Sequence, residues 1–271
     1  MKTILTAAVL STLASGALAA GHCAAGKTLT DGTLTIATGN PAYYPWVLND
    51  APEAGEGFEA AVAYALAEEM GFAAEDVTWV RTSFDEAIQP GAKNFDLNMQ
   101  QYSITEDRDK VVDFSSPYYT APQAVLTTKA IVDGGATATM ESLKVLKWGV
   151  VASATALPIV MEVIEPDASP LVYDDNANVT AAIQAGQIDA ALFDLPTALY
   201  LSAVVVEGGA ILGQFDPAAA ENPDQFGMLM PEGSELKACV DEALAAMTES
   251  GKLAEIEAQW LQEATGVPLI R

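Results

Sequence analysis

Apolar and small polar residues alternate through GTLTIATG (32–39), and the run stops at NPAYYPW. Period two followed by turn formers predicts a strand entering a turn. In GFEAAVAYALAEEMG, Phe58, Val62, Leu66 and Met70 recur every four residues before Gly71, which predicts a helix closed by a glycine. DVTWV and FDLNMQQ read as strands, and SFDEAIQPG begins as a helix that Pro90 breaks. The middle of the chain repeats the plan: KWGVV strand, TALPIVMEVI helix, PLVYD strand, NVTAAIQAG helix, IDAALF strand. QFGMLM is a further strand, and two helices follow, ELKACVDEALAAM and LAEIEAQWLQEA, parted by Gly251. Strands alternating with helices predict an α/β fold with largely parallel sheets.

One echo lies inside this pattern. AIQPGAKNFD (87–96) resembles AIQAGQID (182–189), each running helix, glycine, strand, aspartate. Five residues past each aspartate stand Gln101 and Asp194, both near the carboxyl end of a strand, where ligands bind in open α/β sheets. The repeat predicts two similar lobes that each present a residue at the same structural position.

The N-terminus changes the picture of where the chain works. Lys2, the apolar stretch ILTAAVLSTLASGALA and the small residues Ala17-Leu18-Ala19 form a secretory signal peptide, residues 1–19, cut near Ala19. A lipid anchor at Cys23 is disfavoured, because His22 stands where a small residue is required. No later run is apolar and long enough to span a bilayer, so a soluble periplasmic protein is expected. The net charge of −25 works against nucleic-acid binding and favours a soluble monomer. The two cysteines, Cys23 and Cys239, form an even set in an oxidising compartment and predict a disulfide; the alternative is a buried thiol on the helix where Leu236, Val240, Leu244 and Met247 make an apolar stripe. The single histidine, His22, and the wide cysteine spacing give no metal site, and no phosphate-cradling glycine motif is present, so no cofactor is expected.

Candidate chemistry gathers around few residues. Arg108 is one of three arginines. Ser103 and Glu106 have the spacing of a capping box that opens a short helix EDRDKVV, so Arg108 reads either as a solvated arginine there or as a planar fork for a carboxylate. Thr155 lies where a strand meets a helix, either as an ordinary cap or beside free N–H groups that bind a carboxylate. Asp194, just before Pro196, is either an N-cap or a counter-ion for an ammonium. Tyr43, Tyr44 and Trp46 offer an aromatic wall. Taken together these describe a site for a zwitterionic amino acid.

At this point the chain resembles the extracellular solute-binding proteins of polar amino-acid ABC transporters, solute-binding protein family 3. The resemblance rests on LTIATGNPAYYPW, GEGFEAAVAYALAEEMGF, FDLNMQQYSITEDRDKVVDFSSPYY, WGVVASATA and AAIQAGQIDAALFD. It implies a two-lobed periplasmic-binding-protein fold (type II), each lobe a mostly parallel sheet flanked by helices, with ligand in the inter-lobe cleft. The implied lobes are 28–122 with 228–271, and 123–227. The resemblance implies that Arg108 holds an α-carboxylate with help from Thr155, that Asp194 and the Ser103 region take the α-ammonium, and that Asn40, Tyr43, Trp46, Phe84 and Gln101 complete the pocket. Asn40 stands where relatives selective for basic side chains carry an aspartate, which argues against lysine, arginine or histidine. Gln100-Gln101 replaces smaller residues, Ala154 and Ala156 remove polar groups around Thr155, and the region after Phe84 is one residue short. Hinge closure on the ligand and docking on a membrane permease are the implied mechanism, without catalysis. The rival is an exported cyclohexadienyl or arogenate dehydratase on the same fold, with Asp194 or Glu106 as acid.

Overall fold

The computed structural model describes residues 23–219, 223–261 and 266–271; the expected signal peptide lies outside them. Five strands build the first half: β1 (Leu34–Thr38), β2 (Val77–Arg81), β3 (Leu97–Asn98) and β4 (Asp113–Phe114), with helices α1 (Phe58–Glu69) and α2 (Phe84–Ile88) between them, and later β12. The chain then crosses through β5 (Tyr119–Thr120) into β6 (Gln123–Thr128). Helices α3 (Lys129–Asp133) and α4 (Met140–Lys144) lead to β7 (Trp148–Val151), α5 (Ala156–Pro158), β8 (Leu171–Tyr173), α6 (Asn176–Gln184), β9 (Ala190–Asp194), α7 (Leu195–Tyr200) and β10 (Gly209–Gln214). It returns through β11 (Gln225–Phe226) to β12 (Leu229–Met230), α8 (Lys237–Glu249) and α9 (Lys252–Trp260).

The first sheet has the order β2-β1-β3-β12-β4, the second β10-β6-β9-β7-β8, and β11 pairs with β5 between them. The strands predicted from alternation with helices, β1–β3 and β7–β9, pair in parallel. The other half of each sheet is antiparallel, so neither is mostly parallel. The strand arriving from the opposite lobe, β12 or β6, enters against the direction of its neighbours. The expected strand QFGMLM is split at Gly227, where a Cβ would press within 2.8 Å of Ile104. The expected helix TALPIVMEVI holds α-geometry only to Pro158 and then widens, Glu165 N–H donating to Val160 O five residues back.

Burial follows the periodicities. Phe58, Val62, Leu66 and Met70 pack with Leu236, Val240, Leu244 and Met247 in one core against the first sheet. In the second sheet Ala124, Leu126, Ala191 and Phe193 face one apolar cluster, while Val125, Ala190 and Leu192 face another. A sheet covered on both sides reads as a near-continuous apolar run, as AALF does. Cys23 and Cys239 are bonded, 216 residues apart, fastening the start of the described chain to α8. Residues 266–271, which the sequence reading groups with the first lobe, lie on the second: Leu269 bridges Gln214, and Met140 N–H donates to Arg271 O at 2.9 Å.

The turn before α1 places the loop carrying Tyr43 and Trp46. The N–H groups of Phe58 and Glu59 donate to Pro45 O (2.8 Å) and Trp46 O (3.0 Å), so the loop supplies the acceptors that the helix start lacks. This close approach requires Gly57: φ is 101°, and a Cβ would lie 2.6 Å from Trp46 O. Gly57→Ala is expected to lower unfolding stability by about 2 kcal/mol or more, measured by chemical denaturation, because neither backbone partner can yield cheaply. Reducing the Cys23–Cys239 bond is expected to cost ~2–4 kcal/mol in the same assay.

Candidate functional site

The carboxyl ends of β1 and β3 face those of β7, β8 and β9 across a cleft holding a cavity of about 480 Å³, within the usual size for a small-molecule site. Asn40, Tyr43, Phe84, Gln101, Ser103, Arg108, Thr155 and Asp194 line it. Trp46 does not. It is 1 % exposed in the first-lobe core, where its ring meets Phe58, Tyr119 and Phe226 edge-on. Its ring is packed there and its indole N–H is taken by Thr197 of the second lobe, so nothing remains for a solute.

The helix expected over EDRDKVV is a run of turns, and Ser103 does not cap Glu106. Instead Thr105 Oγ1 accepts from Arg108 N–H at 3.2 Å, and Ser103 pairs with Phe226 of the returning strand β11. This pulls the Arg108 side chain into the cleft. Its Nη1 donates to Ser103 O (2.8 Å) and its Nη2 to Ser153 O of the second lobe (2.7 Å). The guanidinium carbon stands 5.3 Å from the centre of the Phe84 ring, a cation–π contact, and Phe84 stacks on Tyr102 at 4.5 Å. Burial lowers the Arg108 pKa and the nearby Asp224 opposes this; a guanidinium stays charged regardless.

Asp194 caps α7, its Oδ1 accepting from Thr197 N–H at 2.8 Å. Burial raises its pKa to about 6, and the negative charge of Asp224 adds to the rise. Asp224 is a cleft residue that sequence reasoning missed. It sits beside β11, its Oδ2 accepting from Gln123 Nε2 (2.7 Å) and from Thr155 Oγ1 (3.4 Å), with the Ser103 hydroxyl also bonded to it. The only signal was an acid two residues before Phe226 in a crossing strand, and crossing strands carry no periodic mark of a ligand site.

Gln101 is held from behind. Glu59, buried in the first turn of α1, accepts from Gln101 N–H (2.8 Å), from Gln101 Nε2, and from the hydroxyl of Tyr118 at the start of the crossing. Burial raises the Glu59 pKa to about 7, against the lowering effect of those hydrogen bonds. Gln101 itself adopts φ 54°, a left-handed conformation fixed by this carboxyl. The twin aspartates of the internal echo also do matching work: Asp96 Oδ2 accepts from Thr35 N–H (2.7 Å) and Asp189 Oδ2 from Lys147 N–H (2.9 Å), each pinning the start of the neighbouring strand.

Contacts also bridge the lobes outside the cavity. Trp46 Nε1 donates to Thr197 Oγ1 at 2.7 Å, and Tyr44 meets Tyr200 with ring centres 5.3 Å apart. On the first lobe Arg81 Nη1 donates to Gly39 O (2.7 Å) and Asp50 Oδ1 (2.5 Å), fixing the loop that carries Asn40 and Tyr43. Glu106, the other acid named for the dehydratase reading, is exposed and lines no part of the cavity. Among the described residues no group of His, Cys, Asp and Glu is placed to hold a metal ion, and no helix is long and apolar enough to cross a membrane.

The family model of the bacterial extracellular solute-binding proteins, family 3, matches residues 34–263, which include both sheets and the whole cleft. The chain belongs to this family. The solute-binding protein is 27 % identical over 206 residues to the L-cystine-binding protein TcyJ of Escherichia coli K12, covering 75 % of this chain and 73 % of that one. Among solved structures, an ancestral arginine-binding protein bound to glutamine superposes with a TM-score of 0.68 at 28 % identity, covering 86 % of this chain and all of that one. An ancestral amino acid-binding protein described as a precursor of cyclohexadienyl dehydratase superposes with a TM-score of 0.67 at 28 % identity, covering 85 % and 96 %. These relatives share the type II fold.

Trp46→Phe keeps the ring packing but removes the donor to Thr197; a loss of about 1 kcal/mol is expected, together with a more open particle in solution scattering. A pH titration of stability tests the buried acids. Glu59 and Asp194 both hold protons more tightly folded than unfolded, so their contribution is complete below the unfolded carboxyl range. It is lost as pH rises, between about 4 and 6 for Asp194 and between about 4 and 7 for Glu59. The solute-free protein is therefore expected to weaken over this window, and Glu59→Gln to flatten the part approaching pH 7.

Proposed function

We propose that this solute-binding protein captures an amino acid or a related zwitterion in the periplasm, by closure of the two lobes, and delivers it as a monomer to an ABC permease. One observation carries the reading: Arg108 and Asp194 project into the same cavity from opposite lobes. An α-carboxylate fits the guanidinium, whose Nε–H has no acceptor in the protein among the described residues. An α-ammonium fits Asp194, with Ser103 and Gln101 alongside. The charge contacts come from different lobes, Arg108 from the first and Asp194 from the second, so only the closed form makes both, and the ligand drives closure through that difference. Thr155 lies between the two ends, with its hydroxyl 3.3 Å from that of Ser103 across the cleft. Binding by Arg108, Thr155 and Asp194 requires no acid-catalysed step.

Arg108→Ala is expected to weaken amino-acid binding about 10- to 100-fold, read by calorimetry, since a charge-assisted hydrogen bond contributes ~1.5–3 kcal/mol. Unchanged affinity would remove the site from the cleft. A thermal-shift panel of amino acids names the ligand, because a true ligand at 100 times its dissociation constant stabilises the fold by ~2.7 kcal/mol. Turnover of prephenate by the purified chain would replace the binding reading with the dehydratase one.

A further inference from the structure

The charges lining the cavity are unequal. Among the described residues Arg108 is the one cation in the lining, against Asp85, Asp174, Asp175, Asp194 and Asp224. Two of the Arg108 donors are already directed at main-chain carbonyls. A ligand with no net charge answers Arg108 and one carboxylate, and brings no further positive charge to the half-buried Asp224 or to the exposed Asp85, Asp174 and Asp175.

The sheet order fixes how these acids are spaced. Asp194 ends β9, whereas Asp174 and Asp175 directly follow β8, with β7 between. Two strand spacings separate the groups by about 10 Å. Asp224 lies with Asp194: Gln123 is registered with Asp194 in the β6–β9 pairing and donates its Nε2 to Asp224 Oδ2 at 2.7 Å. Tyr43 lies with Asp175 at the other end. Asp85 closes from the first lobe, next to Phe84. Asp175 caps α6 through Asn178 N–H at 2.7 Å, while Asp85 and Asp174 make no hydrogen bond or ion pair among the described residues.

We infer that the solute carries a second cationic group and a net positive charge: its α-ammonium sits between Asp194 and Asp224, and a guanidinium or ammonium on a side chain of a few carbon atoms reaches Asp174 and Asp175. This deepens the amino-acid reading and rests on it. Asn40 is then not the residue that decides charge. The acid that the sequence lacks at position 40 is supplied from the facing lobe, and Asn40 with Tyr43 contributes shape and polar contact. The pair Asp194 and Asp224 is satisfied by an ammonium placed between them, which offers three donors. Solutes with an acidic side chain meet like charge at both ends and are excluded.

The test is calorimetry on the mature chain at low salt with L-arginine, its uncharged isostere L-citrulline, and L-glutamine. The double variant Asp174→Asn/Asp175→Asn is measured alongside; asparagine is itself a good N-cap, so α6 keeps its start. Arginine is expected to bind at least 10-fold tighter than citrulline, and the variant to shrink that ratio at least 3-fold while both still bind. Citrulline or glutamine binding as tightly as arginine overturns the inference and leaves the amino-acid reading standing. A normal preference for arginine that the variant does not alter overturns the assignment to Asp174 and Asp175. Failure of a folded chain to bind any of these solutes or any other amino acid overturns the underlying reading itself. The wild-type ratio decides the charge question even where the variant folds poorly.

Discussion

One guanidinium reaches main-chain carbonyls on both sides of the cleft, and the closed arrangement is organised around it. Arg108 donates to Ser103 O on its own lobe and to Ser153 O on the other. A buried cation is costly unless its surroundings supply acceptors and negative charge. Here carbonyls, the face of Phe84 and the charge of Asp224 provide them. Ser103 O and Phe84 lie on its own lobe, and Ser153 O is the partner that the other lobe brings.

The acids show the opposite condition. Glu59, Asp194 and Asp224 all have raised pKa values because burial disfavours their charge. Each is linked to the moving parts: Glu59 to Tyr118 at the crossing, Asp194 to the first turn of α7, Asp224 to Gln123 and Thr155. Charge on Asp194 and Asp224, which line the cleft, is therefore poorly solvated there. Acids with perturbed pKa values clustered in a cleft are the electrostatic mark of a candidate functional site.

Much of this was legible in the sequence because it lay in local periodicity. The four-residue stripes of α1 and α8 and the alternation leading into β1 declared themselves. The echo of Asp96 and Asp189 pointed to Gln101 and Asp194, since both lobes use one strand–loop plan. What stayed hidden was set by long-range pairing. The antiparallel half of each sheet depends on where β6 and β12 insert, and neither insertion leaves a local trace. Trp46 shared an aromatic cluster with Tyr43, but only the packing of Phe58, Tyr119 and Phe226 decides which ring turns inward. Asp224 was invisible because hinge strands are short and lack a repeating pattern. The turn at Arg108 was misread as helical because the capping-box spacing is local, while the Ser103–Phe226 pairing that overrides it spans more than a hundred residues.

The segment 266–271 has a consequence for how freely the halves can part. Its backbone is woven into the edge beside β10 and into the start of α4, although α9, just upstream, is packed on the first lobe. The chain thus passes between the two halves at three places instead of two, and the third reaches β10 at Gln214, which is registered with Ala124 just after the first crossing. A protein swinging on two adjacent strands can twist as well as open. A third passage of the chain restrains that twist, much as a second hinge on a door suppresses wobble.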